Sequence, residues 1–252
     1  MVPHVHLRSA TRKLVAAVFV IFITLAVTNS LWAIALAYDC TGPVCGGTVT
    51  WNGNVDGADA RIRVGNMAST NSSSSWHINN ALWVRDDYNS SACWVGGMWI
   101  NTAWIEVGYI ARQSNYDFYW ADCRPGAGYY EFVFGPVYTA DKWRNNFFEV
   151  ARLSSTEFRV YIEAGQFDYA AGSFPNYMQP DQIEIGMEVI GDNSQWSDTA
   201  SFNNNRYIWS GSRYYQHRDG DSKVQSGPPS SWWYTLAAPG GTGGDWRTYC
   251  SC

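Results

Sequence analysis

The chain has 252 residues, of which 46% are apolar, 16% aromatic and only 15% charged. A disordered chain would be poor in aromatic residues and rich in charge, so this composition excludes overall disorder and suits one large domain or two small ones. The net charge of −5 and the small number of lysines argue against a nucleic-acid-binding protein, because neutralising phosphates requires clustered basic residues.

Residues 1–37 are predicted to be a secretory signal peptide. Three basic residues within the first 13 positions precede a mainly apolar run over residues 14–27, and a small-residue site follows at residues 35–37. The alternative is an uncleaved membrane anchor over residues 14–37. Cleavage would leave 14 basic against 22 acidic residues, a net charge of −8. We therefore expect an acidic, extracellular protein with no membrane attachment after cleavage.

All six cysteines follow the predicted cleavage site: Cys40, Cys45, Cys93, Cys123, Cys250 and Cys252. An even number of cysteines in an exported chain predicts disulfides, but the sequence does not decide their pairing. The two terminal groups would tie the chain ends together, with a third bridge from Cys93 to Cys123, whereas the alternative is a small loop closed by Cys40 and Cys45. The chain lacks paired Cys-x-x-Cys units, so neither a metal site nor a cofactor is predicted.

Short segments rich in aromatic and β-branched residues recur after the leader, separated by Gly, Asn, Ser and Pro, and none shows sustained helical periodicity. The predicted strands cover residues 94–99, 104–112, 116–121, 129–134, 147–153, 157–164, 182–190 and 205–209. The predicted fold class is therefore all-β, an antiparallel two-sheet β-sandwich.

The domain prediction has four parts. Residues 1–37 form the signal peptide, 38–57 an N-terminal cysteine-containing segment, 58–221 the β-sandwich domain and 222–252 a Pro/Gly-rich segment packed on that domain.

Glutamate is scarce after residue 37, so the position of each glutamate on a strand is informative. Strand alternation places Trp104, Glu106 and Gly108 on one face of their strand, and likewise Glu184, Gly186 and Glu188 on one face of theirs. Partial burial and a second carboxylate both raise a carboxyl pKa, and two such groups can divide the work of a general acid and a general base. The alternative is that these glutamates only solvate the outer face of a sandwich.

The first family resemblance rests on four segments, namely Trp94-Val-Gly, Trp104-Ile-Glu-Val-Gly-Tyr109, Tyr116-Asp-Phe-Tyr-Trp120 and Glu188 on a later strand. Together they resemble the glutamic peptidases (eqolisins), which are secreted β-sandwich enzymes, over residues 83–210. The resemblance implies that Glu106 and Glu188, 82 positions apart, activate a water for attack on a peptide carbonyl while one of them stabilises the oxyanion.

This chain has Glu106 where the glutamic peptidases have a glutamine. A pair of glutamates is what the related plant neprosin peptidases are understood to use, so the resemblance implies a carboxyl dyad that is active at acidic pH. Trp94, Trp104 and Trp120 would shape the substrate groove.

Residues 182–191 also resemble the signature strand of the laminarinase-type glycoside hydrolases, which share a concanavalin-like jelly-roll sandwich. Glu184 and Glu188 match the two outer carboxylates of that signature, and Gly186 replaces its central aspartate. A third alternative is a non-catalytic carbohydrate-binding or cell-surface module with exposed aromatic rings. The leading prediction is a secreted, glutamic-peptidase-like hydrolase that acts on protein, with polysaccharide as the alternative partner and no predicted oligomeric state.

Overall fold

A computed structural model describes residues 44–69, 77–86, 93–95, 98–100, 102–113, 115–124, 128–154, 157–164, 167–175, 178–190, 195–215, 222–226 and 246–250. All of them belong to one compact unit, Ala37–Cys252. The predicted signal peptide, Cys40 and Cys252 lie outside these residues. Within the described ranges there is no helix of the length and apolarity needed to span a bilayer.

Seven strands form the first antiparallel sheet. They are β1 (Val44–Asn52), β4 (His77–Asp86), β7 (Ala103–Arg112), β8 (Asn115–Arg124), β9 (Gly128–Pro136), β13 (Gln182–Ile190) and β16 (Ser222–Ser226). Their order across the sheet is β16-β1-β13-β4-β7-β8-β9. The central pairs, β13 with β4 and β4 with β7, therefore bring together segments that are far apart in the sequence.

The second antiparallel sheet has eight strands. They are β2 (Gly57–Arg63), β3 (Met67–Ser69), β10 (Asn146–Ser154), β11 (Glu157–Ala164), β12 (Phe167–Pro175), β14 (Gln195–Trp209), β15 (Ser212–Tyr215) and β17 (Trp246–Cys250). Six of them follow the order β12-β11-β10-β2-β14-β15, while β3 and β17 pair with β14. A separate hairpin consists of β5 (Cys93–Val95) and β6 (Met98–Ile100).

The core lies between the two sheets, and every second residue of the central strands points into it. In β13 the apolar residues Ile183, Ile185, Met187 and Val189 are buried, and in β2 the same is true of Ala58, Ala60 and Ile62. This period of two is the pattern of a strand that is packed on one face. The other face of each central strand is then left for polar groups.

An ion-pair network occupies the face of the eight-stranded sheet that points away from the core. Asp59 and Glu149 lie directly opposite each other on β2 and β10, and both side chains are buried. Arg206 and Arg213 bind Asp59 at 2.7 and 2.9 Å, while Arg213 and Arg159 bind Glu149. Two buried like charges in adjacent strands are thus compensated by three guanidinium groups.

The predicted fold class, a two-sheet antiparallel β-sandwich, is confirmed. Two predicted strands, residues 157–164 and 182–190, coincide with β11 and β13. Residues 94–99 form two short strands rather than one. The sheets also extend beyond residues 58–221, because β1, β16 and β17 come from the flanking segments and pair within the sandwich.

Candidate active site

The predicted catalytic glutamates lie on β13 and β7, the two strands that flank β4 in the seven-stranded sheet. Glu184 lies opposite Trp83 of β4, which in turn lies opposite Glu106 of β7. Four residues from this row on β13 and β4, Glu188 lies opposite Asn79. Residues that are opposite each other in a sheet share a face. Glu106, Glu184 and Glu188 therefore all point away from the core.

Glu106 and Glu188, which we call the carboxyl pair, lie diagonally across β4. Their Cα atoms are two strand spacings apart across the sheet, about 10 Å, and four residues apart along it, about 13 Å. The row between them consists of Gly186, Ala81 and Gly108. Among the described contacts, no hydrogen bond joins the two carboxyls directly.

Gly108 allows a close approach of two backbones. A Cβ atom at this position would lie 2.2 Å from the carbonyl oxygen of Asn80 and 2.7 Å from the Cα atom of Ala81. These distances are far shorter than van der Waals contact. Gly108 is therefore needed for the packing of β7 against β4, in addition to leaving the row between the carboxyl pair without a large side chain.

Glu106 is almost completely buried, with 4% of its surface exposed. The hydroxyl of Tyr129 lies 3.4 Å from its Oε1 atom and 2.7 Å from the Oε2 atom of Glu131. Burial raises the pKa of Glu106 well above its ordinary value, and the negative charges of Glu188 and Glu131 raise it further. Hydrogen bonds from Trp83 and Tyr129 oppose this increase. The neutral, protonated form of Glu106 is thus favoured.

Glu188 is partly exposed and is held by Asn79. The Nδ2 atom of Asn79 donates to Oε2 of Glu188 at 3.2 Å, and the backbone N–H of Glu188 donates to Oδ1 of Asn79 at 3.0 Å. Burial and the charge of Glu184 raise the pKa of Glu188 to about 7, although Asn79 and Arg85 act in the opposite direction. Burial thus favours the protonated form of both members of the carboxyl pair, while Asn79 and Arg85 favour the ionised form of Glu188.

Glu184 forms an ion pair with Arg85, its neighbour on β4. A second ion pair, between Arg112 and Glu131, lies on the other side of Glu106. Each side of the carboxyl pair is thus bordered by a carboxylate whose charge is balanced by an arginine.

The predicted groove tryptophans are divided between the two faces of the sheet. Trp104 lies on the face of the carboxyl pair, and its ring centroid is 6.4 Å from that of Tyr129. Trp120 does not join it, because Trp120 points into the core, is only 6% exposed and stacks against Phe132. The prediction that Trp120 lines the groove is therefore corrected. The side chain of Trp94 lies outside the described residues.

Cys123 is disulfide-bonded. It lies opposite Trp104, and the β5 strand that contains Cys93 runs against β8 and β9. The side chains of Cys45, Cys93 and Cys250 lie outside the described residues, so the pairing of Cys93 with Cys123 stays a prediction.

Strand β4 was not predicted from the sequence, and its residues Asn79, Trp83 and Arg85 were therefore not among the candidates. These three residues alternate with Ile78, Leu82 and Val84, which is the signal of a half-buried strand. The contact of Tyr129 with Glu106 was also missed. It depends on the pairing of β8 with β9, and that pairing has a register shift.

No group of three or more His, Cys, Asp or Glu side chains in the described part of the chain is arranged to hold a metal ion. Exposed aromatic rings occur at Trp209 and Tyr214, which are 54% and 41% exposed. Their ring planes differ by 50°, and Tyr214 stacks on Tyr207. These rings therefore do not form a flat platform for a sugar chain.

The fold is a two-sheet antiparallel β-sandwich similar to that of solved glutamic peptidases. Similar solved structures include two of scytalido-glutamic peptidase, one with a peptide-based transition-state analogue and one with a transition-state analogue inhibitor. Their TM-scores are 0.56 and 0.54, at 14% and 13% sequence identity. The structure of SCP-B, a member of the eqolisin family, in a complex with the tripeptide Ala-Ile-His, has a TM-score of 0.54 at 12% identity.

Each of these three matches covers 81% of this chain and 96% of the matched chain. No protein-family model matches the sequence, and no curated protein matches it. The resemblance to the glutamic peptidases that the sequence predicts is thus confirmed at the level of the fold.

Proposed function

We propose that this protein is a secreted peptidase in which Glu106 and Glu188 form the catalytic pair. The main support is that these two glutamates lie on one face of a glutamic-peptidase-like sandwich, where the charge of Glu188 acts on Glu106. Perturbed carboxyls of this kind concentrate at functional sites, whereas solvating glutamates on an outer face keep ordinary pKa values.

The protonation of the pair suits hydrolysis of a peptide bond. Ionised Glu188 accepts a proton from water, the water oxygen bonds to the carbonyl carbon, and the carbonyl electrons move to its oxygen. Protonated Glu106 donates a hydrogen bond to this oxyanion. Glu188 then returns the proton to the amide nitrogen, the C–N bond breaks and the carbonyl re-forms, leaving a carboxylic acid and an amine.

The pKa of Glu188 determines the pH range in which this mechanism operates. With a pKa of about 7, only about one in ten molecules carries ionised Glu188 at pH 6, and far fewer do at pH 3 to 5. We therefore propose that activity increases from weakly acidic to neutral pH. This pH range lies above the acidic range that the sequence resemblance implies.

The test uses the secreted full-length chain with a denatured protein as substrate and mass spectrometry of the products. Wild-type protein is expected to release peptides, while Glu106→Gln and Glu188→Gln are each expected to lose most of the activity. Asp56→Asn, at a partly exposed carboxyl that binds Arg152, serves as a matched control and should retain activity. Equal cleavage by wild type and Glu188→Gln would remove Glu188 from the mechanism.

Polysaccharide hydrolysis by Glu184 and Glu188 is the alternative. Both carboxyls are on the same face with Gly186 between them, as that function requires. Glu184 is engaged in an ion pair with Arg85, however, and this contact would have to break before its Oε2 atom could reach a glycosidic oxygen. Release of reducing sugars from a β-glucan, abolished in Glu184→Gln, would favour this alternative over the peptidase.

A further inference from the structure

Tyr119 of β8 continues the row of small residues that separates the carboxyl pair. It lies opposite Gly108, which in turn lies opposite Ala81 of β4. Its side chain is fully buried and belongs to a cluster with Ala81, Trp83, Ile110 and Ala121, which spans β4, β7 and β8 on the face of the carboxyl pair.

The hydroxyl of Tyr119 is an unsatisfied buried donor. No protein group among the described residues forms a hydrogen bond with it. A buried hydroxyl without a partner destabilises a fold, so such groups are rare and call for an explanation. Tyr119 shares a face of the sheet with the carboxyl pair, and the charges of Glu106, Glu188 and Glu131 act on its hydroxyl.

We propose that the hydroxyl of Tyr119 is a further catalytic group of this site and donates a hydrogen bond to the scissile carbonyl oxygen as that oxygen becomes negatively charged. This inference rests on the proposed peptidase function. It assigns a second donor to the oxyanion beside protonated Glu106, which stands where the glutamic peptidases have a glutamine.

The chemistry requires that Tyr119 keep its proton throughout. Burial and the surrounding carboxylates raise its pKa well above the ordinary value, so the phenol remains neutral over the whole working range. No proton is transferred, since the phenol only orients its O–H toward the oxyanion while Glu188 holds the proton taken from water. A donor that has no hydrogen bond to a protein group need not break one when the negative charge develops.

Tyr119→Phe removes only the hydroxyl and tests this role. Kinetics on a fluorogenic peptide are expected to show a kcat about 100-fold lower with an unchanged KM, as for the loss of one oxyanion donor. A peptide with a tetrahedral hydroxymethylene group in place of the scissile carbonyl should bind weaker by the same factor. The urea midpoint of Tyr119→Phe should be equal to or above that of wild type, because no protein hydrogen bond is lost.

Tyr116→Phe is the matched control. Tyr116 is on the same strand, and its hydroxyl is also buried without a protein partner, but its ring packs in the core 5.9 Å from that of Tyr109. Its loss should leave kcat unchanged. If Tyr119→Phe does not fold, fluorotyrosine incorporated at position 119 replaces it, because a more acidic phenol keeps the shape and should raise kcat.

The outcomes separate the two proposals. An unchanged kcat in Tyr119→Phe, or with fluorotyrosine, overturns the role of Tyr119 while a dead Glu188→Gln leaves the peptidase function standing. A lower urea midpoint together with a raised KM also overturns it, since this indicates a structural role. If Glu188→Gln and Tyr119→Phe both cleave as well as wild type, or wild type cleaves nothing, both proposals fail.

Discussion

Replacement of Glu188 by glutamine is expected to stabilise the folded protein at pH 8 and to change its stability little at pH 4. The pKa of Glu188 is raised from the ordinary value of 4.5 to about 7 in the folded chain. Each pKa unit corresponds to about 1.4 kcal/mol, so ionised Glu188 lowers the free energy of unfolding by about 3 kcal/mol at alkaline pH. Glutamine is neutral at every pH and still accepts the hydrogen bond from Asn79.

The sign of the pH dependence follows from proton binding. Below pH 4.5 Glu188 is protonated in both the folded and the unfolded chain, so it does not lower the free energy of unfolding. Between pH 4.5 and about 7 the folded state binds more protons, and stability falls as the pH rises. Above pH 7 the carboxylate is ionised in both states, and the free energy of unfolding is lowered by the full amount.

Urea denaturation followed by tryptophan fluorescence at pH 4 and pH 8 measures this difference. Glu163→Gln is the control, because Glu163 is an exposed residue of β11 and its replacement should have the same small effect at both pH values. This prediction is refuted if Glu188→Gln is no more stable than wild type at pH 8, or if its stability in urea exceeds that of wild type by the same amount at pH 4.

Four further results are expected. The kcat/KM of wild type should rise about tenfold per pH unit below pH 7 and level off above it, as measured with a fluorogenic peptide, because Glu188 must be ionised. Asn79→Ala removes a donor to that carboxylate, so this rise should move to higher pH. Gly108→Ala should lower stability in urea by about 2 kcal/mol, because its Cβ meets the Asn80 carbonyl oxygen. Arg213→Ala should cost about 2 kcal/mol at pH 7, since it links two buried carboxylates, and a cost that persists at pH 2 would contradict that origin.

The strands that bury one face were predictable from the sequence. In β13 apolar and polar residues alternate without interruption, so its bounds and the shared face of Glu184 and Glu188 followed directly. In β4 the adjacent Asn79 and Asn80, which are both buried, hide the same alternation. Asparagine disfavours strands in general, so the alternation on either side of this pair is a weaker signal in β4 than in β13.

The location of Trp120 was not predictable, because both faces of β8 carry aromatic residues. Phe118 and Trp120 pack into the core, whereas Tyr119 points to the carboxyl pair. Alternation shows which residues share a face, but only the second sheet decides which face is covered. The contact between Tyr129 and Glu106 likewise depends on the register of a neighbouring hairpin and not on spacing in the sequence.

The place of β4 between β7 and β13 has a consequence for synthesis of the chain. Asn79 and Glu188 are 109 positions apart, so their strands pair only after most of the protein has left the ribosome. Pairings of such long range form slowly, because loop closure must precede the contacts that reward it. A nascent chain therefore has no complete carboxyl pair until β13 has been synthesised and has paired with β4.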